Sequence, residues 1–402
     1  MNRRFRRVVE LIAEKVLMVS GGVTSVTIIL IVFFLFREGI GLFGSPAVEQ
    51  GYVVAVNREN TVSDLTPVQL KEVFDQEITN WSELGGKDEP IVVFRLNDIE
   101  QYASYEELGD ELQFIPQCLS RIVADHPGMI AFFPDTYLID GFAGKVIDKR
   151  NITPGEFFLG DEWFPTATPA PLFGIVPLVM GTLWVSLAAI LFALPLGMAV
   201  AIYMAELAND KIRKVLKPVI ELLAGIPSVV YGFFGLVVIV PLIQQVFGLP
   251  VGETALAGSV ILAIMALPTI ITVAEDSIRN VPRAVKEASL ALGATQWQTI
   301  RRVVLPYSVS GIMAAVVLGI GRAIGETMAV LMVTGNSAIV PHGLLEPVRT
   351  IPATIAAELG EAPNGGVHYE ALFLLGCILF VITLIISITA EMMAAKKPKQ
   401  QI

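Results

Sequence analysis

The sequence lacks the motifs by which a chain holds a nucleotide or a metal ion on its own. No G-x-x-x-x-G-K-[ST] segment occurs in the 402 residues, so there is no P-loop for ATP. The three histidines, His126, His342 and His368, are widely separated and show no paired spacing. No serine stands in a nucleophile elbow. We therefore expect no metal site, no nucleic-acid partner and no enzyme activity of the chain itself.

Cysteine and charge are also scarce. Cys118 lies in an acidic segment and Cys377 in an apolar run, so we expect no intrachain disulfide and interpret both as packing residues. Charged residues make up 16% of the chain, whereas 54% is hydrophobic and the mean hydropathy is +0.66. These values exclude a soluble globular protein and predict a polytopic α-helical membrane protein.

The acidic residues are concentrated in residues 38–171. This segment contains 23 acidic and 8 basic residues, a net charge of about −15, which leaves the rest of the chain near +5. Strand-like runs lie at Tyr52 to Val56 and Ile91 to Phe94, and Thr66 followed by Pro67 is typical of a helix start leading to Phe74. We predict an α/β insertion that is folded in water.

Apolar runs long enough to cross a hydrocarbon core of roughly 30 Å occur about six times. The predicted spans are 16–36, 173–204, 216–246, 252–274, 311–335 and 371–388. The predicted domains are the N-terminus with the first span (1–37), the insertion (38–171), a transmembrane domain (172–392) and a tail (393–402). We expect the first run to be an anchor, with cleavage near Ser45-Pro46-Ala47 as the alternative.

Basic clusters predict the orientation of these spans. By the positive-inside rule they place both termini in the cytoplasm and the acidic insertion outside. The polar stretch from Glu206 to Lys217 is expected to be a cytoplasmic loop. The basic residues are Arg3, Arg4, Arg6, Arg7, Lys211, Arg213, Lys214, Lys217, Lys396, Lys397 and Lys399.

The predicted span 216–246 is interrupted by Gly225, Pro227, Gly232, Gly235 and Pro241. Such punctuation indicates a broken helix whose backbone lines a cavity, because lipid would leave the freed backbone groups unsatisfied. Pro227 and Ser228 are therefore candidates for a substrate path. The alternative is close helix packing by small residues.

Arg322 and Glu326 lie inside the predicted span 311–335 and are four residues apart, hence on one helix face. An ionised residue at bilayer depth costs about 2.5 to 3.5 kcal/mol, so it usually faces a partner or a water-filled path. We interpret the pair, together with Gly325 and Thr327, as a candidate anion site. The alternative is a mutually neutralising pair that locks two helices together.

A charged helical hairpin at 282–307 precedes that span. Glu287, Ala288, Gly293, Leu305 and Pro306 follow the pattern E-A-x(4)-G-x(11)-L-P, in which Gly293 permits a sharp turn and Pro306 ends the second helix. The pattern resembles the EAA loop of ABC importer permeases. The resemblance implies a cytoplasmic coupling loop that sits in a groove of an ATPase subunit. A plain basic loop between spans is the alternative.

The segments GRAIGETMAV (321–330) and IPSVVYG (226–232) resemble the PstC-like phosphate permeases of ABC importers. The resemblance implies the MetI-like permease fold and a bacterial inner-membrane subunit forming half of a phosphate path. It also implies three partners, namely a second permease subunit (PstA-like), an ATPase dimer (PstB-like) holding ATP and Mg²⁺, and an extracytoplasmic binding protein (PstS-like). The alternatives are another oxyanion, such as sulfate or molybdate, and a phosphate-sensing signalling component with the insertion as its sensor.

Within this interpretation, the roles of the two intramembrane charges differ. Arg322 offers donors to the oxygens of phosphate. Glu326 accepts a hydrogen bond from the proton that phosphate, unlike sulfate, keeps at neutral pH. We hypothesise that Glu326 also positions Arg322 and biases the path toward protonated oxyanions.

Two stretches of the insertion, 65–98 and 124–138, resemble periplasmic phosphate-binding proteins. That family places Ser-Gly-Thr at a helix N-terminus after the first strand, whereas Asn97-Asp98-Ile99-Glu100 stands here. Acidic side chains repel an anion, so we expect that the insertion does not bind phosphate by itself. We interpret it as a docking or regulatory module, and an insertion without consequence for transport is the alternative.

Overall fold

A computed structural model describes residues 3–109, 111–147 and 151–395. The side chains of Arg3, Arg4, Arg6 and Arg7 and the whole of Lys396, Lys397 and Lys399 lie outside the described part, so two of the basic clusters used above have no structural account. The chain divides into two compact units, the first being Met1–Ile40 with Pro177–Ile402 and the second Gly41–Val176.

The helices and strands are as follows. The helices are α1 Arg3–Ile40, α2 Pro67–Phe74, α3 Tyr105–Leu108, α4 Ile115–Asp125, α5 Pro154–Leu159, α6 Val176–Ile202, α7 Asp210–Ala224, α8 Ser228–Phe234, α9 Val240–Phe247, α10 Ala255–Arg279, α11 Arg283–Ala291, α12 Gln296–Thr299, α13 Leu305–Tyr307, α14 Val309–Ile324, α15 Met328–Val333, α16 Ile351–Glu358 and α17 Val367–Ala395. The strands are β1 Tyr52–Val56, β2 Val92–Arg95, β3 Met129–Pro134, β4 Lys145–Ile147, β5 Trp163–Phe164 and β6 Leu172–Phe173.

The second unit is an α/β domain built on a four-stranded mixed sheet of order β2-β3-β1-β4. Strands β2 and β3 are parallel, and β1 is antiparallel to both β3 and β4. Alternate residues of β1 enter different cores, since Val54 and Val56 pack with α2 and Trp81 whereas Ala55 packs with α4. The sheet is therefore covered by a helix on each face, as expected for a strand pattern that is apolar on both sides.

The local predictions for this domain are confirmed. Strand β1 occupies the predicted residues, and β2 begins one residue later than predicted. Helix α2 starts at a capping box in which the Gln69 backbone N–H donates to the Thr66 hydroxyl (3.1 Å) and the Thr66 N–H donates to the Gln69 side chain (2.9 Å). Cys118 and Cys377 are both buried free thiols, which agrees with their interpretation as packing residues.

Among the described residues, five helical segments are long and apolar enough to span a membrane, namely Ile12–Gly44, Val176–Leu207, Ser228–Phe247, Ala255–Arg279 and Val367–Thr389. Gln296–Tyr307 and Val309–Ile324, bent by 71° at Ser308, make a sixth if they count as one span. Helix α10 is the most buried of these and packs along α14, while α17 packs against α1 and α14. The prediction of about six spans is thus confirmed.

Three predictions about these segments were wrong in detail. Residues 206–217 do not form a loop, because α6 ends in a π-turn at Tyr203–Leu207 and α7 then starts at a cap made by the Asn209 side chain (2.9 Å to the Ile212 N–H). The predicted span 216–246 is divided into the amphipathic helix α7 and an apolar segment from Ser228 to Phe247. The predicted span 311–335 is two helices, with the break described below.

Candidate functional site

The predicted coupling loop is a helical hairpin made of α11, α12, a π-turn at Ile300–Val304 and α13. Gly293 joins its two arms with φ +86°, a backbone conformation in which a side chain is strained. The hydroxyls of Ser289 and Thr299 meet across the hairpin at 3.0 Å. The second arm ends at Tyr307, one residue beyond Pro306, so the prediction that Pro306 itself ends it was wrong by one residue.

The predicted coupling residues lie largely on the surface of the hairpin, as a docking element requires. Glu287, Ala288 and Pro306 are exposed, and Leu305 is half-buried. Large apolar side chains are exposed at the tip, with Leu292 91% and Trp297 60% accessible. Exposed apolar groups amid polar and basic neighbours are typical of an interaction surface.

Glu206, at the end of α6, joins the hairpin at two points. Its carboxylate forms an ion pair with Lys286 of α11, and the two side chains are only 11% and 19% exposed. Its backbone carbonyl accepts a hydrogen bond from the Gln296 side chain at 3.1 Å. A carbonyl at a helix end has no partner within its helix, so Gln296 satisfies a group that water would otherwise solvate.

A buried carboxylate lies where α10 leads into the hairpin. The Glu275 side chain is 0% exposed, and Arg213 of α7 contacts its Oε1 through Nη2 (2.6 Å) and Nε (2.9 Å). Lys217 donates to Glu275 Oε2 and to Asp276 Oδ1, both at 3.2 Å. Burial lowers the pKa of Lys217, but its hydrogen bonds to Asp276 and Glu275 outweigh burial and raise the pKa above its usual value. The amine therefore stays charged at neutral pH.

The candidate anion site has a different geometry from the one predicted. Helix α14 ends at Ile324 and α15 begins at Met328, so Arg322 and Glu326 do not share a continuous helix face. Within the described residues, no carboxylate lies at ion-pair distance from the Arg322 guanidinium. The Glu326 carboxylate instead accepts a weak hydrogen bond from the Ala329 N–H at 3.5 Å. The expected pairing, and with it direct positioning of Arg322 by Glu326, was therefore wrong.

The reason for the break is local. Gly325 is a poor helix former, and Glu326 competes for the first free N–H groups of the next helix. Gly325 and Thr327 line an open cleft of about 510 Å³ together with Pro352 and Ile355 of α16. At membrane depth, backbone groups without helical hydrogen bonds are expected to face protein or a water-filled cavity and not lipid. An interrupted helix beside a cleft agrees with this expectation.

The two stretches interpreted as path elements come together in the structure. Helices α8 and α15 are in close contact. A Cβ on Gly232 would lie 2.8 Å from the Met332 sulfur and 3.0 Å from the Ala329 Cα, so any larger residue would require Met332 and the α15 backbone to shift. Arg322 is half-buried and lies within electrostatic range of Tyr231, three residues after Ser228. Packing by small residues, the alternative for this segment, is therefore also present.

Glu326 lies in a narrow cleft with the hydroxyls of Thr182, Ser186 and Thr350. The three hydroxyl residues are buried, and the Thr350 hydroxyl has no hydrogen-bond partner within the described structure. Thr182 accepts the Ile351 backbone N–H at 3.0 Å, which ties α6 to the first residue of α16. The Thr182 and Ser186 hydroxyls donate to the backbone carbonyls of Leu178 and Thr182, both at 2.7 Å, so of the three only the Thr350 hydroxyl has no partner in the described structure.

Sequence reasoning missed Glu206, Glu275 and Thr350. Glu275 did carry a signal, because a charge near the end of an apolar run needs a partner when it is buried. Glu206 and Thr350 carried none, since a polar residue in a polar stretch is ordinary.

Two regions of the chain match known protein families. Residues 193–397, about half of the chain, match the family described as "Binding-protein-dependent transport system inner membrane component". Residues 32–133 match a "PBP superfamily domain". "Probable ABC transporter permease protein YqgH" of Bacillus subtilis is 40% identical over 248 residues, 62% of this chain and 80% of that protein. "Phosphate transport system permease protein PstC" of Mesorhizobium japonicum is 40% identical over 256 residues, 59% of this chain and 77% of that protein.

A solved structure, the inward-facing MetNI methionine ABC transporter, aligns with a TM-score of 0.45 and 20% identity. The alignment covers 56% of this chain and 96% of that one.

Proposed function

The chain belongs to the family of binding-protein-dependent transport system inner membrane components, and we propose that it is the permease subunit of an ATP-driven phosphate importer. The family consists of multi-pass inner-membrane permease subunits without an ATPase domain of their own. The observation that carries the assignment to phosphate is the 40% identity to a phosphate transport system permease over 77% of that protein.

In the proposed mechanism, phosphate passes along the surface formed by α8, α14 and the break before α15. Arg322 supports this role because no described carboxylate neutralises it, which leaves its donors free for an anion. A unit charge pair at 4 Å is worth about 4 kcal/mol at an effective dielectric constant of 20, enough to hold phosphate briefly without trapping it. Gly325, Thr327, Pro227 and Ser228 line the same region in this proposal.

Glu326 contributes selectivity rather than positioning in this proposal. An ionised carboxylate repels a fully deprotonated oxyanion but accepts a hydrogen bond from a protonated one. Phosphate at neutral pH keeps a proton, whereas sulfate does not. The break after Ile324 supports the proposal because it separates the two side chains, so that Arg322 does not neutralise the Glu326 carboxylate.

The hairpin is the proposed contact with the ATPase. Leu292 and Trp297 would enter its groove, and Glu287 to Pro306 would pass ATP-driven closure to the spans, turning an inward-open path outward. ATP and Mg²⁺ reside in the ATPase dimer. A second, PstA-like permease would complete the path, and both termini would lie in the cytoplasm.

The α/β domain would then face the extracytoplasmic side and receive a PstS-like binding protein. Its match to the binding-protein superfamily covers residues 32–133, and the Asp98 carboxylate after strand β2, which accepts the Arg95 N–H at 3.0 Å, would repel an anion there. We propose docking or regulation as its role, without phosphate binding by the domain itself.

The test is uptake of radioactive phosphate by the reconstituted complex with phosphate, sulfate and molybdate as competitors. We expect competition by unlabelled phosphate alone. Glu326→Gln keeps the shape and removes the charge, and should reduce the preference for phosphate over sulfate. Equal competition by all three anions would refute the assignment to phosphate, and an unchanged preference in the variant would refute the role of Glu326.

A further inference from the structure

We propose that Glu206 is a positioning residue that makes α6 follow the coupling hairpin, so that hairpin motion reaches the Glu326 cleft. The inference rests on the proposed coupling function and adds the connection by which coupling is transmitted. The hairpin is continuous in the chain with α10 before it and α14 after it. Helix α6 has no such continuity; it meets the hairpin through apolar packing of Ala201 in the same cluster as Val304, and through the polar contacts of Glu206.

The joint engages both arms of the hairpin. Lys286 belongs to α11 and reaches the Glu206 carboxylate, while Gln296 is the first residue of α12 and reaches the Glu206 carbonyl. A single contact would allow the hairpin to pivot about it, whereas two contacts from different arms fix the orientation as well. The side chains of the ion pair are mostly withdrawn from water, which strengthens their attraction relative to a surface pair.

The π-turn at Tyr203–Leu207 presents Glu206 to the hairpin. The Ala208 N–H donates to the Tyr203 carbonyl at 2.7 Å, five residues back, so one residue is inserted into the helical repeat. Inserted residues of this kind redirect the side chains beside them and recur at functional sites. The Glu206 side chain therefore contacts Lys286, while its backbone carbonyl accepts a hydrogen bond from Gln296.

The far end of α6 contacts the candidate anion site. Thr182 and Ser186 line the cleft that contains Glu326, and Ser186 is 20 residues from Glu206, about 30 Å along a helix. Helix α6 runs from Val176 to Ile202 with Pro195 inside it. A displacement of Glu206 by the hairpin would therefore move the hydroxyls beside Glu326 along α6, which also packs against α10 between these two points.

The experiment compares ATP hydrolysis with phosphate uptake in the same proteoliposomes containing the complete transporter. We expect Glu206→Gln and Lys286→Gln to lower the ratio of phosphate imported to ATP hydrolysed by about fivefold or more, the range of measured couplings between sites. The double exchange Glu206→Lys with Lys286→Glu should restore at least half of the lost ratio. Glu221→Gln, an exposed carboxylate on α7, serves as the matched control and should leave the ratio unchanged.

The ratio separates positioning from mere structural support, because poor assembly lowers uptake and hydrolysis together. An unchanged ratio in both single variants, or a double exchange no better than the singles, would overturn the inference. If Glu206→Gln does not assemble, Gln296→Ala tests the second contact by the same ratio. Absence of phosphate uptake by the unsubstituted complex would instead refute the proposed function, so the two failures are distinguishable.

Discussion

Replacing Arg213 by Met should destabilise the first unit strongly, because it removes the closest cation from the fully buried Glu275 carboxylate. Arg213 makes two contacts to one carboxylate oxygen, at 2.6 and 2.9 Å. Breaking a buried pair by deleting one partner typically costs about 3 to 5 kcal/mol. Lys217 and Arg279, at 3.2 and 3.9 Å, remain near the carboxylate and compensate part of the charge. We therefore expect Arg213→Met to lower the free energy of unfolding by about 3 kcal/mol, the low end of this range.

The assay is thermal unfolding of the purified complex in detergent, followed by tryptophan fluorescence. At about 2 to 4 °C per kcal/mol for a unit of this size, Arg213→Met should lower Tm by roughly 6 to 12 °C. Lys217→Met should cost less, about 1 kcal/mol, because Lys217 is 31% exposed and Arg213 stays in place. Lys214→Met, on the exposed side of the same helix, is the matched control and should change Tm little.

The double variant Arg213→Met with Glu275→Met tests the reasoning directly. Replacing both members of a buried pair by apolar groups is often neutral or stabilising, so Tm should return close to that of the unsubstituted protein. A double variant as unstable as Arg213→Met alone would show that lost packing, and not an unpaired charge, causes the effect. A shift for Arg213→Met no larger than for Lys214→Met would show that the cluster contributes nothing to stability.

Three further outcomes are expected. Arg322→Lys keeps the positive charge but loses the planar guanidinium that can make two parallel hydrogen bonds to phosphate. Losing one charge-assisted hydrogen bond should lower phosphate uptake roughly tenfold. Uptake at the rate of the unsubstituted protein would exclude bidentate contact. The double variant Leu292→Ser with Trp297→Ser should reduce co-purification of the ATPase with the permease, whereas Leu112→Ser in the α/β domain should not. Equal yields of co-purified ATPase from both variants would show that the hairpin tip does not contact the ATPase. Deleting residues 50–160 should weaken phosphate uptake at low binding-protein concentration. Unimpaired uptake with unchanged affinity would refute the docking role of the α/β domain. Intact transport with lost gene regulation would instead indicate that this domain acts as a sensor.

Local patterns predicted the parts of this protein that local forces build. The short run of aromatic and β-branched residues from Tyr52 to Val56 predicted strand β1, because such side chains fit a pleated surface. Thr66 and Pro67 predicted the start of α2 because an N-cap and its box are completed within four residues. The family pattern from Glu287 to Pro306 was sufficient to predict a hairpin, since Gly293 supplies its turn.

For the candidate site, the sequence predicted which residues take part but not how they are arranged. The sequence identified Arg322 and Glu326 as charges inside an apolar run, but a spacing of four suggested a pair that the structure does not form. Helix α14 ends between them because Gly325 weakens the helix and Glu326 interacts with the next helix.

By itself, the amino-acid sequence determined most of the segments that are apolar and long enough to span a membrane, the segment that forms the α/β domain and the charges inside apolar runs, because these depend on composition and short-range periodicity. Tertiary structure alone decided that Glu206 meets Lys286, that Glu275 meets Arg213 and that Gly232 meets Ala329. These partners are 60 to 100 residues apart in the chain. Whether these residues contact each other depends on how whole helices pack. A sequence pattern that spans a few helical turns carries no information about that packing.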